Sequence, residues 1–274
     1  MMRVVRPVSF EILRPDWRGV SSQVQAMSTL RVGGCSSGAY GNEHGVSGLN
    51  LGDHVSDDHA AVAANRAKLN ASLPQDVIFL SQVHGNIVVR AETLVPGVSA
   101  DAIVSSTPGL VCAVLTADCL PVLFCDAAGR VVAAAHAGWR GLASGILQNT
   151  VQEMRLCGAG EIFAWMGPAI GPEKFEVGQD VYDVFTSQDR NAIHSFVKMA
   201  SDDTVGAGQK YLGDIYQLAR DALNSVGVNN ISGGKYCTVS DQQKFYSYRR
   251  DGVTGRMASL IWISQDNQPM GLLV

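Results

Sequence analysis

Residues 100–138 read ADAIVSSTPGLVCAVLTADCLPVLFCDAAGRVVAAAHAG, and the apolar runs in this stretch decide the architecture. IVSS (103–106), LVCAVLTA (110–117) and LPVLFCD (120–126) are β-type runs, and an Ala-Ala-Gly-Arg turn leads to a fourth, VVAAAHAG (131–138). A half-exposed strand alternates apolar and polar residues. These runs are almost continuously apolar, which predicts strands covered on both faces. A layered α/β architecture follows, with helices lying on sheets.

Upstream, VVRPVSFEI (4–12) and SSQVQAMSTLRV (21–32) read as two extended segments that begin a sheet. The segment 33–52 carries seven glycines, so its backbone can take positive φ or approach a ligand closely. A surface loop and a ligand-facing lid both fit that composition. Ser56, Asp57 and Asp58 supply an N-cap and first-turn acids before an Ala-rich helix that repeats Val62, Asn65 and Leu69 on one face. DVIFLSQVHGNIVVRA (76–91) then predicts a strand, a break at His84 and a second strand.

Downstream, Leu142, Ile146, Leu147, Val151 and Met154 form the 3.6-residue stripe of one helix lying on a sheet. EIFAWM (161–166) predicts a strand, two Gly-Pro pairs bracket Ala169 and Ile170, and a helix starts near Gly178. Beyond a polar stretch at 186–209, an amphipathic helix directs Leu212, Ile215, Leu218, Ala219 and Leu223 inward. VNNISGGKYCTVS (228–240) and MASLIWIS (257–264) predict strands, with KFYSYRRDGVTGR (244–256) as the loop between them. No repeat or linker divides residues 1–274, so one domain is expected.

In 274 residues, an apolar content of 46% is enough for a sizeable core without external staples. The net charge of −4 gives no basic field for a phosphate backbone, so nucleic acid is not an expected partner. No stretch approaches the roughly 18–20 uninterrupted apolar residues of a membrane span, and the N-terminus lacks a secretory h-region. A soluble cytoplasmic protein with reduced thiols is expected. Its six cysteines (35, 112, 119, 125, 157, 237) include no CxxC pair.

The chemistry-bearing residues stand at the ends of the β runs. Cys119 opens LPVLFCD, His136 closes VVAAAHAG, and His84 follows VIFL. Two imidazoles and one thiolate can close three corners of a tetrahedron around zinc and leave the fourth for water or substrate. Taken singly, a His or Cys beside apolar strands is ordinarily structural; the signal lies in the combination. Asp118 is either a general base or a turn-stabilising acceptor. Arg249 either forks onto phosphate or sits, with Arg250, in a solvated loop paired to Asp251; Arg31 before GGCSSG is a similar case. Asp101 can orient a ligating imidazole, and Trp139 and Arg140 can pack and cap the helix that follows.

The ordered motifs RVGGCSS, LNLGDHVSDD, SQVHG, DAIV, LTADCLPVLF, AAHAGWRGL, GPAIGPEKFEVG and KFYSYRRDGVTGRMA resemble the YfiH family across nearly the whole chain. That family is variously named multicopper polyphenol oxidase (laccase-like), purine nucleoside phosphorylase and peptidoglycan editing factor. The resemblance implies an α/β (α+β) fold, a single-domain four-layer α-β-β-α sandwich with mixed sheets. It implies zinc held by His84, Cys119 and His136, with copper possible in the same site. It further implies phosphorolysis of adenosine, inosine and methylthioadenosine, and deamination of adenosine. Purine nucleosides and phosphate are then the partners, Cys119, His84, His136 and Asp118 the catalytic set, and Arg31, Asn50, Gln82 and Arg249 the substrate and phosphate contacts.

Phosphorolysis needs anion-binding donors and stabilisation of the departing base; deamination needs an activated water at the ring carbon bearing the amine. The H-x-E and P-C-x-x-C signature of the zinc nucleobase deaminases is absent, so deamination here would be a separate solution. A laccase would need a further multicopper cluster, and six His (44, 54, 59, 84, 136, 194) with no HxH spacing do not supply one. A metal-free Cys–His hydrolase, with Cys119 as nucleophile and His136 as base, is a competing reading. A non-catalytic metal-binding protein is another.

Overall fold

The computed structural model describes residues 7–200 and 208–265. Residues 4–6 of the first extended segment and 201–207 of the polar stretch lie outside them. In chain order the elements are β1 (Ile12–Leu13), β2 (Val24–Thr29), β3 (Val32–Ser36), α1 (His59–Asn70), β4 (Val88–Arg90), β5 (Ala102–Ser105), β6 (Cys112–Thr116), β7 (Leu120–Asp126) and β8 (Val132–Ala137). They continue with α2 (Trp139–Ala143), α3 (Ile146–Leu156), β9 (Ile162–Met166), β10 (Glu176–Gly178), α4 (Gln179–Gln188), β11 (Phe196–Lys198) and β12 (Lys210–Gly213). Last come α5 (Ile215–Ser225), β13 (Asn230–Gly233), α6 (Tyr248–Asp251) and β14 (Met257–Ile263).

The four apolar runs that decide the fold are β5 to β8, and every residue in them is buried. They divide between two sheets. One is antiparallel, in the order β1-β2-β14-β6; the other is mixed, in the order β13-β9-β7-β8-β5-β4, with parallel pairs at both ends. A small antiparallel sheet, β10-β12-β11, stands apart from both.

Strand alternation assigns each side chain to a layer. In β6, Cys112 and Val114 meet Leu123, Cys125, Val132 and Ala134 of the six-stranded sheet, forming the core between the sheets. Their neighbours Ala113 and Leu115 face the other way and pack with Leu69 and Leu73 at the end of α1 and beyond. On the outer face of the large sheet, Val122, Phe124, Ala133 and Ala135 receive Leu147, Val151, Leu218 and Leu223 from α3 and α5. The layers therefore run α-β-β-α. Among the described residues, no helix is long and apolar enough to cross a membrane, and all six cysteines are free.

Several local expectations change. Residues 77–80 form no named strand: Val77, Ile78, Phe79 and Leu80 wall a cavity, and pairing is limited to one bridge between Ser81 and Ser99. The helix expected over 142–154 is two, broken at Gly145, whose φ of 91° only glycine adopts freely. Leu212 belongs to strand β12, ahead of α5. Short elements β10 and α6 fall where loop was expected. Asp58 alone caps α1, accepting from the Ala60 amide, whereas Asp57 accepts from Ser36 Oγ and Asn50 Nδ2.

The glycine-rich segment is fastened down, and none of residues 33–52 lines the cavity. Asn65, on the buried face of α1, does the fastening. Its Nδ2 donates to Ser36 Oγ (2.9 Å), Gly48 O (3.2 Å) and Asn50 O (3.0 Å), and its Oδ1 accepts from the Cys35 amide (2.9 Å). A Cβ on Gly34 would stand 2.3 Å from both Asn65 Oδ1 and Gly48 O, so the two segments meet only because that residue has no side chain. Replacing Asn65 by Ala leaves several buried backbone groups without partners. The expected loss is about 2–4 kcal/mol, read as a lower urea midpoint at unchanged m-value.

Candidate metal centre

Strand parity directs two of the three candidate ligands into the space between the sheets. His136 follows Val132 and Ala134 on the inner face of β8, and Cys119 continues the inward row of Leu123 and Cys125 beyond the start of β7. Across the β7–β8 ladder, His136 pairs with Pro121. His84 enters from the loop ahead of β4. His84 itself (φ 60°) and Asp118, next to Cys119 (φ 85°), hold left-handed backbone that side chains other than glycine rarely adopt. Such positions persist when the surroundings over-determine them, as at ligand sites.

The ligating atoms of His84, Cys119 and His136 all lie within 4.8 Å of one another, and Cys119 Sγ is 3.7 Å from His84 Nε2. A tetrahedral zinc with bonds of about 2.0–2.3 Å spaces its ligands roughly 3.4–3.6 Å apart, so the three side chains fit such an ion with small adjustments. The two imidazoles meet edge to face, with centroids 4.7 Å apart and planes at 78°. His136 is buried, Cys119 half-buried and His84 exposed, which opens one side of the group. No other group of His, Cys, Asp and Glu with ligand spacing occurs among the described residues.

The fully buried Asp101 joins two of the three corners. Its Oδ1 lies 2.8 Å from His136 Nδ1, which directs His136 Nε2 toward the centre. The same carboxylate accepts from the amides of His84 (2.9 Å), Gly85 (2.7 Å) and Val83 (3.3 Å), fixing the loop that carries the other imidazole. Burial raises the Asp101 carboxyl, but the His136 ring and these amides outweigh it and hold the group below its ordinary range. Cys119 and His136 form a charge pair. Burial pushes the thiol up, yet the His136 charge and hydrogen bonds from both imidazoles bring it down to about 6. Burial likewise opposes the His136 cation, but Cys119 and Asp101 lift it to about 9. The buried thiols of Cys112 and Cys125, with no such partners, are pushed up.

The group opens into a cavity of about 940 Å³. Gln82 lines it, but both ends of its amide are tied to the backbone of Leu115 (2.8 and 2.7 Å). Asn50 sits behind the wall, its Oδ1 accepting from the amides of Gly52 (3.0 Å) and Arg256 (2.8 Å). Arg31 and Arg249 do not line the cavity. Arg31 is buried and gives its donors to Gly41 O and Gln242 O; Arg249 gives Nη1 to the carbonyls of Lys174 and Glu176. Asp118 has both carboxylate oxygens engaged, by Thr238 Oγ1 (2.5 Å) and the Arg249 amide (2.6 Å). Arg250 grips Asp251 at 2.7 Å, and the Arg140 guanidinium stacks on Trp139 at 4.5 Å. The sequence reading missed His54, Arg66, Tyr248 and Arg256, which do line the cavity. The first lies within the LNLGDHVSDD motif and the last two within KFYSYRRDGVTGR, but no spacing rule singles them out.

Gly138 makes room for the group, since a Cβ there would stand 2.8 Å from His84 Cδ2 and 3.1 Å from Cys119 Sγ. If the group takes up added zinc, Gly138→Ala should weaken that binding at least about tenfold, as outer-sphere changes do, with little change in circular dichroism; competition with a chromophoric chelator measures it. In metal-stripped protein, Cys119 is largely thiolate at pH 7 and should be alkylated by iodoacetamide far ahead of Cys112 and Cys125. Its rate should fall as pH drops through about 6, as the lowered thiol becomes protonated, and peptide mass mapping reads this.

The family described as multi-copper polyphenol oxidoreductase laccase matches residues 25–264. Purine nucleoside phosphorylase YfiH of Escherichia coli (strain K12) is 48% identical over 260 residues, spanning 92% of this chain and 99% of the relative. Purine nucleoside phosphorylase PA4543 of Pseudomonas aeruginosa is 46% identical over 253 residues, spanning 92% and 98%. The crystal structure of Neisseria meningitidis protein NMB0706 is similar with a TM-score of 0.80 at 47% identity, covering 92% of this chain and 99% of that one. A layered fold, its ordered motifs and this similarity agree: the chain belongs to the YfiH family, described as multi-copper polyphenol oxidoreductase laccase.

Proposed function

We propose that the chain is a metal-dependent purine nucleoside phosphorylase that acts on adenosine, inosine and methylthioadenosine. The observation that carries this reading is a three-ligand group at the edge of a roomy cavity, within the range of about 300–1,000 Å³ usual for small-molecule sites. The names of the relatives support the substrate class. His84, Cys119 and His136 would hold zinc, and the same donors accept a single copper. A bound ion supplies Lewis-acid stabilisation of developing negative charge.

The remaining work falls to the chain. Phe79 and Tyr248, which line the cavity with Ile78, offer flat apolar surfaces for a purine. A phosphate oxygen forms a bond to the ribose anomeric carbon while the glycosidic carbon–nitrogen bond breaks. Its electron pair leaves on the base, which takes up a proton, giving ribose 1-phosphate and free purine. Asp118, engaged on both oxygens, acts as a positioning residue that aims Cys119 through the tight turn before β7. Asp101 plays the same part for the two imidazoles.

A multicopper oxidase is less well supported, because the described residues contain one ligand group. The paired Cys119 and His136 favour a second reading, a metal-free Cys–His hydrolase. Adenosine incubated with and without phosphate separates the possibilities. Phosphate-dependent release of adenine and ribose 1-phosphate is expected; inosine formed without phosphate would reassign the site to deamination. Cys119→Ala should lose stoichiometric metal and lower turnover at least about 100-fold. Full activity in that variant would remove the metal from the reaction, and activity surviving chelation but not thiol alkylation would favour the hydrolase.

A further inference from the structure

The cavity that the triad opens into is also lined by Arg256, a cation with no ion-pair partner among the described residues. The Arg256 stem lies across Gly52, where a Cβ would come within 2.8 Å of Arg256 Cγ. Its amide donates to Asn50 Oδ1 (2.8 Å), and its Nη1 donates to the carbonyls of Thr254 and Gly255 (3.0 Å each). These contacts fix one edge of the guanidinium. Nε and Nη2 have no protein partner among the described residues, and neither is sealed from the cavity.

Among the described residues no carboxylate forms an ion pair with Arg256, whereas Arg66 meets Asp53 at 3.0 Å and Arg250 meets Asp251 at 2.7 Å. The anions that act on Arg256 most strongly are Cys119 and Asp118. Cys119 belongs to the metal group, and Asp118 is engaged by Thr238 and the Arg249 amide. Among the described residues no anion is left to neutralise this guanidinium. Arg66 lines the same cavity, stacked 4.7 Å from the Phe79 ring, with Nη2 buried and unpartnered.

We propose that Arg256 is the oxyanion anchor of the cavity and takes inorganic phosphate between its free guanidinium edge and the triad. A guanidinium offers two parallel donors that match two phosphate oxygens, and a partly desolvated site strengthens such charge-assisted bonds. Of the donors suggested by sequence, Arg31 gives Nε, Nη1 and Nη2 to carbonyls; Arg249 has only Nη1 so engaged, but it does not line the cavity.

The role of phosphate rests on the phosphorylase reading; the anion site itself does not. Titrating inorganic phosphate into the zinc-loaded protein without nucleoside, by calorimetry, tests the site directly. Arg256→Met should weaken phosphate binding about 10–100-fold at unchanged zinc content. Should that variant fold poorly, Arg256→Lys keeps the stem and charge but loses the planar fork, and is expected to raise the phosphate KM more than it lowers kcat. Unchanged phosphate affinity in a folded, zinc-loaded Arg256→Met protein would overturn the assignment, as would binding lost in Arg249→Met but kept in Arg256→Met. Phosphate binding that depends on Arg256 in a protein that cleaves no nucleoside would uphold the anchor and sink the phosphorylase reading. Phosphorolysis with an unaltered phosphate KM in Arg256→Met would do the reverse.

Discussion

One carboxylate sets the geometry on which the site depends. Asp101 is wholly enclosed, and a buried anion is tolerated only when its acceptor sites are filled. Here they are filled by the His136 ring and by three successive loop amides. A residue at the start of β5 thus orients a side chain on the neighbouring strand and holds His84 in a backbone state it would otherwise avoid. The Asp101 carbonyl also accepts from the His136 amide at 2.7 Å, so ring and backbone of His136 are both referred to the same residue.

That arrangement works because the strands around it are lined with small side chains. Ala133, Ala134, Ala135 and Ala137 surround His136 in β8, and all are fully buried. Ala134 faces the sheet of β6 and β14, while the other three receive α2 and α3. Gly141 of α2 comes so close that a Cβ there would stand 2.7 Å from Gly85 O. The helix after the β8 ligand therefore presses on the loop that presents His84. Packing in the outer layer and ligand placement in the inner one are parts of a single constraint.

Much of this was legible in the sequence. The four buried strands announced themselves by continuous apolar runs, and the three side chains that converge between the sheets by standing at the ends of such runs between small residues. What stayed hidden was decided by partners far away in the chain. VIFL has the composition of a strand, yet it walls a cavity because no neighbouring strand is available to pair along its length. The stripe from Leu142 to Met154 is correct residue by residue, but Gly145 breaks it where the chain turns from the site onto the sheet. Arg31 and Arg249 sit in motifs suggestive of anions, but carbonyls take up the donors of Arg31 and Arg249 does not line the cavity. Arg256 closes the same KFYSYRRDGVTGR stretch as Arg249, and its place on the cavity wall is visible only in three dimensions.

The three corners of the metal group differ in how they are held. Cys119 immediately precedes β7 and His136 stands on β8, its hairpin partner, whereas His84 rides on an exposed loop fastened through its amides. Opening that loop costs far less than separating the strands, since local fluctuations draw on the least-buried contacts. An ion held by this group would then exchange with chelators or competing metals through departure of the His84 corner, leaving a two-point cradle intact. Lability and retention of the fold are in this way separable properties of the same centre.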